Sequence, residues 1–441
     1  MKKILVIALV LFALPLIALH RLGISPLGLG EAMTMGTGMT AKLGCSGIHL
    51  SGFSDDEILY DLASYSPAAK AISLRRIDAT TVEADINGMS VTRARYIPGL
   101  GCALELPGMI DRDALAVPVI AATEGPKQAV DTQLQSIVDA VMAEDNVAGL
   151  DTRALYVLRD GELVAEAYRD GISAATPLLG WSMAKSVTAM MLARMEALGL
   201  AATSSANLFP EWRDDERRDI TLLNLLQMSS GLAFEEVYGP GSDATRMLFT
   251  VVDASAVPLA QPQEHPPASH FAYSSGTTNL LARYAQLQLG ADPQAAIDFW
   301  STQLAGPLGL AGTTFEMDPS GVFVGSSYLY APARDWARLG QLMLDDGRLG
   351  DQQLLPADWV ARATAPNSSS NDPRYGYQFW LNRGTKEPRW PALEPGAYAM
   401  MGNRGQVVMM LPEHNAVVVR LGWSATEYPY SQQLGRIQAA L

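Results

Sequence analysis

Hydrophobic and polar positions change their period along the chain, and each change marks an element. Between residues 183 and 193 nearly every position is apolar or small, and only Lys185, Ser186 and Thr188 interrupt the run, which predicts a helix buried on almost all sides. Helical spacing recurs at 131–142, 222–228, 277–288, 335–344 and, at the end of the chain, 428–441. Two-residue alternation takes over at 80–86 and 89–96, on either side of Asn87-Gly88, and the stretches 154–158 and 162–168 flank Asp160-Gly161. Both stretches read as β-hairpins closed by tight turns. Further strands are expected at 398–402, 406–411 and 416–421, with a turn at 412–415. A helix, a hairpin, a long helical middle and closing strands predict an α+β fold: an antiparallel sheet flanked by helices, with an all-helical subdomain.

Ahead of this domain, which spans 127–441, the pattern describes a small α+β unit at 42–106. Residues 44–50 resemble a strand, Ser54-Asp55-Asp56-Glu57 is a capping box opening a helix to about residue 64, and 102–106 supplies a strand after the first hairpin. The stretch 107–126 reads as a linker, and the small unit as a docking or stabilising module without catalytic residues. The first 22 residues differ from all that follows: Lys2 and Lys3 precede an unbroken apolar run from 4 to 18, after which His20 and Arg21 restore polarity. This is a targeting segment, either a cleaved signal peptide or a membrane anchor formed by residues 4–19. Both place the remainder across the membrane, in the periplasm, soluble or tethered to the inner membrane.

Composition then narrows the chemistry. A formal net charge of −14 argues against a nucleic-acid partner, whose phosphates need a basic surface. The two cysteines, Cys45 and Cys102, most simply form one disulfide in an exported chain, the other reading being two buried thiols. Five histidines are scattered without metal-site spacing, and none stands in a Gly-x-Ser-x-Gly context, so neither a metal centre nor a Ser-His-Asp triad is indicated. The buried helix is where the chemistry points. A lone ammonium inside it is costly unless a partner holds it or its pKa falls. Three residues before Lys185, on the same helical face, stands Ser182. A desolvated amine beside a hydroxyl is one of the few ways a protein can take the proton from a serine nucleophile. Ser182 also follows Gly180-Trp181 at the helix start, where unpaired N–H groups favour a developing oxyanion.

Two later motifs extend the pair. Met228-Ser229-Ser230-Gly231-Leu232 ends an apolar helix, and Tyr273-Ser274-Ser275 follows a proline-rich loop at 258–267. In order and spacing, Ser182-x-x-Lys185 and these two motifs resemble the serine hydrolases of the beta-lactamase and penicillin-binding-protein superfamily, in the branch of the class C beta-lactamases. The 6-aminohexanoate-dimer hydrolase-like members, with Tyr-x-Ser in place of Tyr-x-Asn, look closest, and the likeness covers 127–441. It implies Ser182 as the acylated nucleophile. Lys185 and Tyr273 are then expected to share the removal of its proton, the ammonium holding the phenol partly ionised, while Ser275 bonds Lys185 or the substrate. The family's third motif, Lys-Thr-Gly on an edge strand, is matched by Asn403-Arg404-Gly405. Gly405 is expected to let the substrate approach the strand, and the backbone N–H groups of Ser182 and Gln406 to form the oxyanion hole.

The departures from that pattern bear on the substrate. Loss of the motif's Lys and Thr, and Ser275 in place of Asn, removes groups that hold a beta-lactam's carboxylate. The resemblance therefore implies a small-molecule ester or amide as partner, hydrolysed without metal or organic cofactor, with poor or no beta-lactamase activity. The same departures support a rival reading, a non-catalytic penicillin-binding-like scaffold acting on cell-wall structure. Two loops complete the expectations. His270 stands near Tyr273, and an acidic stretch with Glu235, Glu236 and Asp243 would favour amine-bearing substrates if it overhangs the cleft.

Overall fold

A computed structural model describes residues 28–441. The targeting segment expected at 1–22 lies outside the described residues, among which no helix is long and apolar enough to cross a membrane. The closing strands and the Asp160-Gly161 hairpin meet in one six-stranded sheet, so the two ends of the larger domain are hydrogen-bonded together. Its order is Trp380–Leu381, Tyr398–Gly402, Gln406–Leu411, Ala416–Gly422, Thr152–Arg159 and Glu162–Tyr168, and every neighbouring pair is antiparallel. Because side chains alternate along a strand, Val407, Met409 and Leu411 pack with Val157 and Val418 beneath the helices Thr132–Val147 and Tyr430–Gln438. Val408, Met410, Val417 and Val419 join the opposite core, with the serine helix Met183–Ala197 and the helix Ala333–Leu344. That second helix lies directly on the sheet: a Cβ on Gly340 would stand 2.7 Å from Val417 and 2.9 Å from Val408. Helices Leu222–Leu226, Asp243–Phe249, Ser275–Gln288 and Pro293–Phe299 make up the helical subdomain, and Ser275–Gln288 packs against the serine helix.

In the N-terminal unit the helix Leu29–Ser46 crosses a four-stranded antiparallel sheet of Ser73–Arg76, Thr81–Ile86, Met89–Ile97 and Gly101–Leu104. Residues 44–50 are therefore not a strand; they finish this helix and continue into the π-helical turn Gly47–Ser51. The helix is hidden from propensity by Gly30, Gly36, Gly38 and Gly44, each unfavourable in a helix interior. Packing explains two of them. A Cβ on Gly38 would fall 2.1 Å from the Phe249 carbonyl oxygen, and one on Gly44 would fall 2.9 Å from Leu74. Cys45 and Cys102 are bridged, joining this helix to the last strand.

The unit shares a core with the larger domain. Leu43, Ile48, Val82 and Leu104 belong to the same cluster as Leu179, Trp181, Phe249, Tyr328 and Tyr330. A buried ion pair, Lys42 Nζ to Glu316 Oε2 at 2.5 Å, crosses the boundary, and Glu316 also accepts from the Ser46 hydroxyl at 2.8 Å and the Cys102 N–H at 2.6 Å. Residues 107–126 form a strap bound along its length. Ile110 N–H donates to the Pro319 carbonyl, Ala116 exchanges two hydrogen bonds with the Gln294 amide, and Arg338 donates to the Glu124 carbonyl.

Candidate active site

Three fully or nearly buried residues set Ser182 in place. A Cβ on Gly180 would lie 2.1 Å from the Trp336 ring, so only glycine fits there. Trp181, with no exposed surface, takes the left-handed conformation at φ +49° and is enclosed by Tyr65, Tyr238, Tyr328 and Trp423. This sharp turn delivers Ser182 as the residue just before the helix Met183–Ala197. One turn on, Lys185 is 1% exposed. Its Nζ bonds Ser182 Oγ at 2.9 Å, Ser275 Oγ at 2.9 Å and the Ser326 carbonyl at 3.0 Å. Burial lowers the Lys185 ammonium to about 8, and the nearby Glu236 carboxylate pushes in the opposite direction.

The Met228-to-Leu232 motif carries the segment that brings in the phenol. Met228 closes its helix at φ +53° and Gly231 turns at φ +80°, where a Cβ would fall 1.9 Å from the His265 carbonyl oxygen. This turn accepts hydrogen bonds from Ala272 N–H at 3.0 Å and Ala268 N–H at 2.8 Å. The Tyr273 ring is then clamped between Trp380, stacked at 5.2 Å, and the edge of Tyr375 at 5.7 Å. Its phenol faces the Ser182 hydroxyl, while Lys185 Nζ lies 5.1 Å from its ring centroid. Burial raises the phenol well above its ordinary value, the Glu236 carboxylate adds to the rise, and the Ser182 contact only partly opposes it. This direction runs against the expectation of a partly ionised Tyr273, because desolvation of the ring outweighs the Ser182 contact.

The third motif also differs from expectation. Residues 403–405 are not on a strand but reverse the chain between Tyr398–Gly402 and Gln406–Leu411, with Arg404 at φ +62° and Gly405 at φ +84°. A Cβ on Gly405 would meet Arg420 and Tyr428, away from the nucleophile. Gln406 is buried, with its side-chain amide bonded to Gly422 through both its oxygen and its nitrogen. The residue that abuts the nucleophile's turn is Gly402, where a Cβ would lie 2.1 Å from the Gly180 carbonyl oxygen. Gln406, expected to present its N–H beside Ser182, instead pairs with Gly402 in the sheet, whereas no backbone acceptor is found among the described residues for the N–H groups of Asn403 and Ser182. The glycine beside Gly180 is therefore that of the strand, Gly402, and not that of the turn, Gly405. Arg404 is turned onto Tyr65, 3.6 Å from its ring centroid, and Asn403 Nδ2 donates to Tyr65 Oη at 3.2 Å.

Several residues that complete the site carry no motif. Tyr65 comes from the N-terminal unit, Tyr375 from the loop before the sheet's edge strand Trp380–Leu381, and Trp380 from that strand. Arg389 lies 4.1 Å from the Trp380 ring and lines a cavity of about 950 Å³ together with Arg374 and Tyr430. Of the acidic stretch, Asp243 accepts from the Glu235 N–H, whereas Glu236 turns inward and accepts from both the hydroxyl and the N–H of Ser275. His270 stacks on His265, ring centroids 4.4 Å apart. Only Glu236 had a signal in the sequence, its acidity between two motifs.

A family model described as Beta-lactamase matches residues 134–437. The 6-aminohexanoate-dimer hydrolase of Paenarthrobacter ureafaciens is 25% identical over 286 residues, which are 61% of this chain and 72% of that protein. Solved structures share the fold at lower identity. A penicillin-binding protein homolog from Caulobacter crescentus is 17% identical with a TM-score of 0.55, over 71% of this chain and 99% of that one. A family VIII carboxylesterase is 15% identical with a TM-score of 0.56, over 71% and 98%. A class C beta-lactamase is 13% identical with a TM-score of 0.55, over 71% and 99%. The matched residues hold the serine helix, the Tyr273 segment and the whole six-stranded sheet, and the chain belongs to the beta-lactamase family.

Proposed function

We propose that the protein is an exported serine hydrolase that forms an acyl-enzyme on Ser182 and hydrolyses a small ester or amide. The observation that carries this reading is the 2.9 Å contact of the buried Lys185 Nζ with the Ser182 Oγ. Neutral Lys185 takes the Ser182 proton as the Oγ–C bond forms and the carbonyl π pair moves onto its oxygen. The N–H groups of Ser182 and Asn403 stabilise that oxyanion. Tyr273, protonated, gives its proton to the departing alkoxide or amine and regains one from the cleft as the Lys185 ammonium gives up its own. Water then repeats the sequence on the acyl-enzyme, releasing the acid. With Lys185 at about 8, roughly a tenth of it is neutral at pH 7, so the rate rises with pH through that value.

The names of the hydrolase relative and of the carboxylesterase neighbour support an amide or ester substrate. The absence of Lys and Thr from the third motif speaks against efficient beta-lactam turnover. Export is supported by the targeting segment and by the Cys45–Cys102 bridge, which suits an oxidising compartment. The test is exposure of the chain to a fluorophosphonate probe and a chromogenic short-chain ester, beside Ser182→Ala. Labelling and turnover that both vanish in the variant are expected; labelling of neither protein favours the non-catalytic scaffold.

A further inference from the structure

Which way the Lys185 lone pair points depends on a residue outside the three motifs. Ser275 is fully buried; its Oγ donates to Glu236 Oε1 at 2.5 Å and its N–H donates to Oε2 at 2.6 Å. A carboxylate only accepts, and a hydroxyl has one proton. With that proton held by Glu236, Ser275 Oγ can meet Lys185 Nζ only as an acceptor, at 2.9 Å. The Ser326 carbonyl, at 3.0 Å, is likewise only an acceptor. Two of the three free tetrahedral directions at Nζ are thus fixed as N–H bonds. In the neutral amine the third direction, toward Ser182 Oγ at 2.9 Å, must carry the lone pair.

We propose that Glu236 is a positioning residue for proton abstraction: by holding the hydroxyl proton of Ser275 it aims the lone pair of neutral Lys185 at Ser182. This rests on the hydrolase reading. Glu236 also takes up the Ser275 N–H at the start of the helix Ser275–Gln288, while the Ser274 hydroxyl accepts from Thr277 N–H, so the pH profile and the double variant separate a structural share from the positioning role. The titratable groups around the pair are few. Among the described residues Glu236 is the one charged group that shifts Lys185, and the phenols of Tyr238, Tyr273 and Tyr375 lie near the carboxylate, each pushed above its ordinary value by burial.

Glu236→Gln reverses the polarity of the relay. The new amide N–H₂ donates to Ser275 Oγ, and the freed hydroxyl proton competes for the Lys185 lone pair. Fluorophosphonate labelling of the full chain, measured against pH, reads both consequences. The plateau rate is expected to fall about tenfold or more, and the acid limb to move to lower pH, because the upward push of the carboxylate on Lys185 is gone. Ser275→Ala is expected to lower the plateau similarly, and Glu236→Gln/Ser275→Ala to be no slower than Ser275→Ala alone, since the two act in one chain. Wild-type plateau and limb in Glu236→Gln, or losses that multiply in the double variant, overturn the proposal. Should Glu236→Gln not fold, Glu236→Asp replaces it: the carboxylate withdrawn by one methylene is expected to slow the plateau with the limb kept near its wild-type place, and an unchanged plateau is the contrary result. If the wild-type chain is not labelled, the hydrolase reading fails and this inference with it; wild-type labelling with an indifferent Glu236→Gln defeats the inference alone.

Discussion

Lys185 is held where its charged form is disfavoured, and this ties reactivity to a stability cost. Its folded value of about 8 lies below the ordinary 10.5, so between those two values the unfolded chain holds a proton that the folded chain has released. Stability therefore climbs with pH through that window, and below about pH 8 the whole penalty is present. At 1.36 kcal/mol per unit the penalty reaches about 3 kcal/mol. Lys185→Met is accordingly expected to abolish labelling while raising the melting temperature at pH 7 and flattening the rise above pH 8. A lower melting temperature at pH 7 would contradict this. Gly180 is the second residue on which the placement of Ser182 depends. Gly180→Ala drives a methyl group into Trp336 and is expected to cost about 1–3 kcal/mol, with slower labelling of Ser182, measured by thermal melting and probe kinetics.

At the scale of elements, what was legible followed local periodicity. The hairpins at Asn87-Gly88 and Asp160-Gly161, the serine helix and the closing strands sit where the pattern put them, because tight turns and unbroken apolar runs are encoded in neighbouring residues. The helix Leu29–Ser46 was not legible, since its glycines make sense only against Phe249 and Leu74, which lie elsewhere in the chain. The same holds in the site. Ser182, Lys185 and Tyr273 were readable as motifs, whereas Tyr65, Trp380 and the inward turn of Glu236 arise from long-range packing. The disulfide makes that N-terminal helix testable. Cys45 and Cys102 are 57 residues apart in sequence, a loop whose closure is worth up to about 4 kcal/mol. Cys102→Ser is expected to lower the melting temperature and leave probe labelling at room temperature intact; no change in melting would argue that the bridge does not restrain the fold.

For the whole molecule, the N-terminal unit is part of the catalytic body. It covers Trp181 with Tyr65, engages Arg404 and Asn403 beside the nucleophile's turn, and is anchored by the buried Lys42–Glu316 pair. Breaking that pair from one side leaves a buried charge, so Lys42→Met is expected to destabilise the chain by about 3–5 kcal/mol in denaturant titration. A chain beginning at residue 127 exposes the apolar faces of Leu179, Trp181 and Tyr330. It is expected to aggregate or, where recovered, to label at least tenfold more slowly than the full chain; a wild-type rate would show the unit to be dispensable. The most direct test of the account follows the acyl-enzyme itself. The chain is mixed with a slowly hydrolysed ester from about pH 6 to 10, and the adduct is read by intact mass and peptide mapping. An adduct on the Ser182 peptide, forming at a rate that rises with a midpoint near 8 and absent from Ser182→Ala, is the result predicted; turnover that survives in Ser182→Ala, or an adduct on another residue, would contradict it.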